Sequence, residues 1–218
     1  MDPEFWHQRW RQGEIGFHLD HPNPRLVQNW GALSQPPGSR VLVPLCGKSN
    51  DLSWLAQRGH RVLGIELSPI AVAEFFAERQ LLPRQESRGS FASHATDDIE
   101  LWCGDIFALD RAIAGNIDAV YDRAALVALP GELRRRYAGL LAELLPVGAQ
   151  MLLVTFDYPQ AQMPGPPFAV GPNEVRSLYG EHFGIELLAS EDILDAEPRF
   201  RQRGLQALRE HVFLLHRR

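Results

Sequence analysis

The spacing of apolar positions changes repeatedly along the chain, and the changes mark its elements. Residues 40–44 (Arg-Val-Leu-Val-Pro), 61–66 (Arg-Val-Leu-Gly-Ile-Glu), 99–103, 117–122 and 149–156 are short apolar runs of strand length. Near-continuous runs of this kind suit strands covered on both faces. Between them, residues 51–58, 69–80 and 132–145 read as helices. Ser68 is a capping residue with Pro69 in the first helical turn, and Gly59 stops the helix before it. Strands alternating with helices predict a parallel sheet, doubly wound by right-handed crossovers.

The two ends of the chain break this alternation. Residues 4–12 predict a short helix with Phe5, Trp6 and Trp10 as its aromatic stripe and Asp2-Pro3 as cap and first turn. A loop with Gly and Pro follows, then a second short helix over residues 25–30. At the other end a loop at 157–172 with five prolines precedes a helix at 174–180. Such a loop is too stiff for a flexible linker; it reads as a rigid wall beside a site or as a plain surface connection. Runs at 185–190 and 210–216 predict two strands forming an antiparallel edge.

Length and composition fit one globular domain over residues 1–218, with 1–35 as an N-terminal helical lid. A net charge of −5 argues against a nucleic-acid partner held by bulk positive charge. The Arg134-Arg135-Arg136 run lies in a helical pattern and is expected on a solvated face. Cys46 and Cys103 are too few for a disulfide framework, and the eight histidines lack ligand spacing, so no metal is expected. Without a signal-peptide pattern or a run of about 20 apolar residues, the expected setting is the cytosol, with no membrane partner.

In an open parallel sheet, ligands bind beyond the carboxyl ends of the strands. Glu66 ends the second strand, 21 residues after Leu45. An acid at that distance suits a bidentate grip on ribose hydroxyls, or is a plain strand-end acid. The first loop, Pro44-Leu45-Cys46-Gly47-Lys48-Ser49, has a single glycine. It lacks the dinucleotide fingerprint, and Leu42 stands where a P-loop needs its first glycine. Such a loop suits a cofactor with an adenosine but no pyrophosphate, such as S-adenosylmethionine. Asp105 and Ile106, after the third strand, could bracket adenine, with Ile106 over the ring, or Asp105 could cap the next turn. Trp10 could lay its face near a sulfonium or ammonium, or simply be core.

Several segments together resemble the thiopurine S-methyltransferase family, particularly its bacterial members. They are Phe5-Trp6-His7 through Trp10 and Phe17, Val43-Pro44-Leu45-Cys46-Gly47-Lys48-Ser49 and Gly64-Ile65-Glu66-Leu67-Ser68. Tyr121-Asp122-Arg123-Ala124-Ala125-Leu126-Val127-Ala128 and Pro164-Gly165-Pro166-Pro167-Phe168 continue the likeness, which spans nearly the whole chain. The resemblance implies a seven-stranded, Rossmann-like class I methyltransferase fold in a monomeric, cytosolic enzyme. It implies S-adenosyl-L-methionine contacts at Trp10, Leu45, Glu66, Ile106 and Arg123, with Asp105 nearby, and S-adenosyl-L-homocysteine as product. It points to Phe17, Arg123, Pro166, Pro167 and Arg199 on the acceptor side, Arg199 through a looser C-terminal alignment.

The expected reaction is in-line methyl transfer to a small aromatic or heterocyclic thiol. Arg123 would position the acceptor and favour its thiolate; Asp122 would be structural, since the reaction scarcely needs a base. Selenium or tellurium acceptors are the alternative within the same chemistry. A non-catalytic cofactor-binding module and, less well, a nicotinamide oxidoreductase are the alternatives from other classes.

Overall fold

The computed structural model describes residues 3–218. The expected cap at Asp2 lies outside the described residues. Backbone contacts divide the chain into two compact units, the first ending at Tyr121 and the second spanning Asp122–Arg218.

The first unit opens with helices α1 (Pro3–Gln12) and α2 (Pro24–Asn29). The Asn23 side chain caps α2 by accepting from the Arg25 N–H at 2.8 Å. Then follow β1 (Arg40–Pro44), α3 (Asn50–Gln57), β2 (Arg61–Glu66), α4 (Pro69–Glu78), β3 (Arg84–Arg88), β4 (Phe91–Ala95), β5 (Ile99–Cys103), α5 (Arg111–Ala114) and β6 (Ala119–Arg123). β1, β2 and β5 coincide with the runs read from sequence, and Ser68 caps α4 as expected.

Strand order in this unit is β3-β4-β5-β2-β1-β6. β5, β2, β1 and β6 are parallel, while β3 and β4 form an antiparallel hairpin on β5. The chain therefore runs outward from β1 through β2 to β5 and returns to the other side of β1 at β6. That reversal creates a switch point between β1 and β6, where open α/β sheets bind ligands. Right-handed crossovers place α3 and α4 on one face of the sheet and α5 on the other. Leu52 of α3 lies against Gly64 and Leu101 on the first face.

The second unit holds α6 (Gly131–Leu144), β7 (Gln150–Asp157), α7 (Pro172–Tyr179), β8 (Phe183–Asp192), α8 (Pro198–Gln202) and β9 (Arg209–Arg217). Strand order is β7-β9-β8, antiparallel throughout, with a register shift in β8 between Leu187 and Ala189. The expected antiparallel edge is present. Between β8 and β9, α8 supplies Phe200 to a core with Tyr158, Met163, Ile193, Leu194, Leu205 and Leu208.

Two expectations are corrected. Nine strands are described, not seven: the β3–β4 hairpin was read as neither strand. β3 (Arg-Gln-Glu-Ser-Arg) is exposed at every position and so carries no apolar period, as suits an edge strand protected by charge. The arginine run is also not uniformly solvated. Arg135 and Arg136 are exposed, but Arg134 is buried, donating to Glu174 Oε1 at 2.8 Å and to the Leu129 carbonyl at 2.9 Å. No described helix is long and apolar enough to cross a membrane.

Candidate active site

Glu66 organises the carboxyl edge of the first unit. It sits at the end of β2, 6% exposed. One carboxylate oxygen accepts from the Gly47 N–H at 2.8 Å and the other from the Ser68 N–H at 2.7 Å. Burial pushes its pKa up, opposed by the N–H groups of Ser68, Gly47 and Leu67. A carboxylate offers about four lone-pair sites, so capacity remains for a further hydroxyl donor.

The loop after β1 is shaped around this carboxylate. Leu45 takes a left-handed φ of 48°, which costs a non-glycine residue about 1–2 kcal/mol. Strain of that kind concentrates at functional sites. Gly47 has φ 54°, and a Cβ there would lie 3.2 Å from Trp10 Cζ2 and 3.9 Å from a Phe17 ring carbon. Gly47 thus lets the Trp10 indole, 5% exposed, lie directly on the loop. Trp10 and Phe17 meet edge to face at 5.9 Å, and Trp6 meets Phe17 at 6.0 Å. Gly47→Ala is expected to destabilise the fold by roughly 1–2 kcal/mol and to move the indole. Thermal melting and tryptophan emission check both effects.

Asp105 and Ile106 follow β5, whose Cys103 pairs with Glu66, and the Gly104 N–H donates to the Glu66 carbonyl at 2.9 Å. Asp105 is exposed and caps the turn at 106–108 by accepting from the Phe107 N–H at 3.0 Å; Ile106 is buried. A Cβ on Gly104 would lie 2.6 Å from the Phe91 ring, so the unforeseen hairpin packs directly behind this turn. Trp10, Phe17, Leu45, Glu66, Asp105 and Ile106 therefore gather around the carboxyl ends of β1, β2 and β5. Behind them, Lys48 pairs with Glu74 at 2.8 Å and Glu78 at 2.5 Å on α4. That resolves the P-loop-like lysine as a structural tie.

In the second unit, Arg123 is half-buried at the end of β6, beside the fully buried Asp122. Asp122 accepts from the Leu126 N–H at 3.1 Å and from the Tyr137 hydroxyl at 2.8 Å. It closes a turn in which Ala124 has φ 66°. The proline loop is fastened to the same turn: the Phe168 N–H donates to the Val127 carbonyl at 2.7 Å. Two residues missed from sequence brace that loop. The Tyr158 hydroxyl donates to the Pro167 carbonyl at 2.5 Å, and Arg203 donates to the Pro166 carbonyl at 3.4 Å. Their signal lay only in nearness to the loop, or in none at all. Arg199 pairs with Glu197 at 2.9 Å and lies over Phe200 at 4.9 Å, on the helix that backs the loop.

Burial raises Asp122 from 3.8 to about 6. The folded state then binds the proton more tightly than the unfolded chain. The stability tied to this group is fully present below pH 3.8 and is lost as pH rises through about 6. The expected loss is about 3 kcal/mol. Asp122→Asn should flatten that part of the stability–pH curve, which urea midpoints between pH 4 and 7 would measure.

The thiopurine S-methyltransferase (TPMT) profile matches residues 1–218. The chain belongs to the thiopurine S-methyltransferase family. Curated thiopurine S-methyltransferases bear this out. That of Nitrosospira multiformis is 51% identical over 215 residues, covering 99% of this chain and 98% of its own. That of Xanthomonas campestris pv. campestris is 50% identical over 217 residues, covering 100% of both. Among solved structures, the 1,6-didemethyltoxoflavin-N1-methyltransferase of Burkholderia thailandensis, with bound S-adenosylhomocysteine, matches with TM-score 0.66 at 16% identity. That match covers 99% of this chain and 86% of the other, and shows the Rossmann-like class I methyltransferase fold. As a thiopurine S-methyltransferase family member, the chain is an S-adenosylmethionine-dependent enzyme. The donor set at its carboxyl edge is compatible with that cofactor: Glu66, already accepting two backbone N–H groups, retains lone-pair capacity for a hydroxyl donor.

Proposed function

We propose that this enzyme S-methylates small aromatic or heterocyclic thiols, acting as a cytosolic monomer built as a single functional domain. The observation that supports this best is the pairing of a half-buried Arg123 with a proline loop fastened to the same turn through Phe168 and Val127. A flat, partly anionic acceptor needs both an apolar wall and a fixed cation.

In this reading Glu66 accepts from the cofactor ribose, the Leu45 loop and Asp105 receive the adenosine, and Ile106 supplies apolar cover. Trp10 lies near the charged end of the cofactor, where an aromatic face favours a cation by about 0.5–2 kcal/mol. When bound, S-adenosylmethionine supplies a methyl group on a sulfonium, so the protein needs no strong general acid. Arg123 holds the acceptor and keeps its sulfur as thiolate. Phe17, Pro166 and Pro167 exclude water, and Arg199 adds positive charge. Asp122 and Tyr137 keep the Arg123 turn in place. The main work is orientation, which is worth several kcal/mol in reactions between two bound groups.

Profiling acceptors with methyl-labelled cofactor tests the proposal. Turnover of aromatic thiols well above that of aliphatic thiols is expected. Turnover confined to selenium or tellurium compounds, or none on any thiol, would overturn it.

A further inference from the structure

Helix α6 carries a buried charge that the proposed chemistry leaves unused. Arg134 lies in the first turn of α6, where its N–H donates to the Pro130 carbonyl at 3.0 Å. Its side chain is spent on three neighbours. Nε donates to Glu174 Oε1 at 2.8 Å, in the first turn of α7, and Nη1 donates to the Leu129 carbonyl at 2.9 Å. The guanidinium carbon lies 5.7 Å from the centre of the Phe168 ring, within cation–π range.

These neighbours belong to the two segments of the proposed acceptor side. Leu129 closes the stretch that begins at Asp122 and carries Arg123. Phe168 ends the proline loop that carries Pro166 and Pro167. Tyr137, three residues along α6 and so on the same face, holds the other end of the Arg123 stretch through Asp122 at 2.8 Å. The helix therefore grips that stretch at both ends, and Arg134 adds the loop and α7 to the same grip. Phe168 is fixed on its other sides as well. Its N–H donates to the Val127 carbonyl at 2.7 Å, and a Cβ on Gly165 would lie 2.6 Å from its ring. A buried ion pair adds little stability over apolar side chains of like volume. What a guanidinium supplies is geometry: several donors and a planar cation in fixed relation.

We propose that Arg134 is a positioning residue for the acceptor. By holding the Leu129 carbonyl and the Phe168 ring in one fork, it sets the Pro166-Pro167 wall against Arg123, and thereby the preference for flat thiols. The inference rests on the reading of Arg123 and the proline loop as the acceptor side. Its effect passes through Phe168 and Leu129, not through contact with the reacting atoms.

Initial rates of the full chain with thiophenol and with 2-mercaptoethanol test it, beside melting curves. Arg134→Met should lower kcat/KM for thiophenol roughly tenfold to a hundredfold, the scale of misplacing a bound group by up to an ångström, and that for 2-mercaptoethanol by less than about threefold. Arg134→Lys, which keeps the charge without the fork, should fall between wild type and Arg134→Met. Phe168→Leu should reproduce the loss of selectivity, and the double variant should be no worse than either single one, because both act through one contact. Hydrogen exchange needs no acceptor: the Phe168 amide should exchange faster in Arg134→Met while the Leu126 amide, held by Asp122, is unchanged. If Arg134→Met does not fold, Arg134→Lys and Phe168→Leu carry the same comparison. Rates on both thiols falling in proportion would mark a merely structural role and overturn the inference. So would wild-type selectivity in the folded variants, additive losses in the double variant, or an unaltered Phe168 amide. Wild-type enzyme that turns over no aromatic thiol overturns the acceptor reading and this inference with it; wild-type turnover with unchanged selectivity in the variants overturns the inference alone.

Discussion

Arg123→Ala should lower the rate of thiol methylation on the order of a hundredfold or more at neutral pH, with cofactor affinity changed far less. That scale is typical for removing one fixed donor that stabilises charge at a reacting centre. The pH dependence carries the stronger information. A guanidinium beside an acidic group lowers its pKa by about 1–3 units. In the proposed reading Arg123 keeps the acceptor as thiolate at lower pH; without it, the thiolate fraction falls about tenfold per pH unit below the acceptor's own pKa. The ratio of wild-type to variant rate should therefore shrink as pH rises. Arg123→Lys should recover part of the rate, because it keeps the charge but loses the planar fork. A rate ratio constant from pH 6 to pH 10 would show that Arg123 does not act on ionisation.

Glu66→Gln should weaken S-adenosylhomocysteine binding by roughly tenfold to a hundredfold, measured by calorimetry. Glu66 receives two backbone N–H groups, from Gly47 and Ser68, on opposite oxygens. Hydrogen bonds to a charged group contribute about 1.5–3 kcal/mol each. An amide retains one acceptor and turns an NH2 group toward a buried N–H donor. The loop bearing Gly47, against which Trp10 packs, then loses an anchor together with the acceptor proposed for the ribose. Glu66→Ala should go further and lower thermal stability as well, since it strands two buried donors. Unchanged affinity in Glu66→Gln would show that the ribose is held elsewhere.

Much of this site was legible from the chain because parallel sheets convert sequence order into position. A run such as Arg61–Glu66, apolar from Val62 to Ile65 and ending in an acid, predicts a buried strand and places its last residue at the binding edge. The Ser68-Pro69 cap and the strand Ile99–Cys103 were legible for the same local reason. The hairpin was not, because Arg84–Arg88 has no buried face. Its turn did leave a trace, the Gly89-Ser90 pair between Arg88 and Phe91, with φ 60° at Gly89. Arg134 escaped a reading as buried because a helical arginine run looks solvated until Glu174 and the Leu129 carbonyl are brought to it.

The sequence by itself determined the alternation of strand and helix, the order in which Leu45, Glu66, Asp105 and Arg123 reach strand ends, and the resemblance that names the chemistry. These follow from local periodicity and from motifs only a few residues long. The tertiary structure decided what those residues do with their hydrogen bonds. It showed Glu66 fastening Gly47 and Ser68, Gly47 making room for Trp10, Asp122 closing the turn beside Arg123, and Phe168 tying the proline loop to Val127. Each of these pairs a backbone or side-chain group with a partner whose identity depends on how the chain returns on itself. No local pattern encodes such a partner, because the free energy that selects it is shared across the whole packed edge.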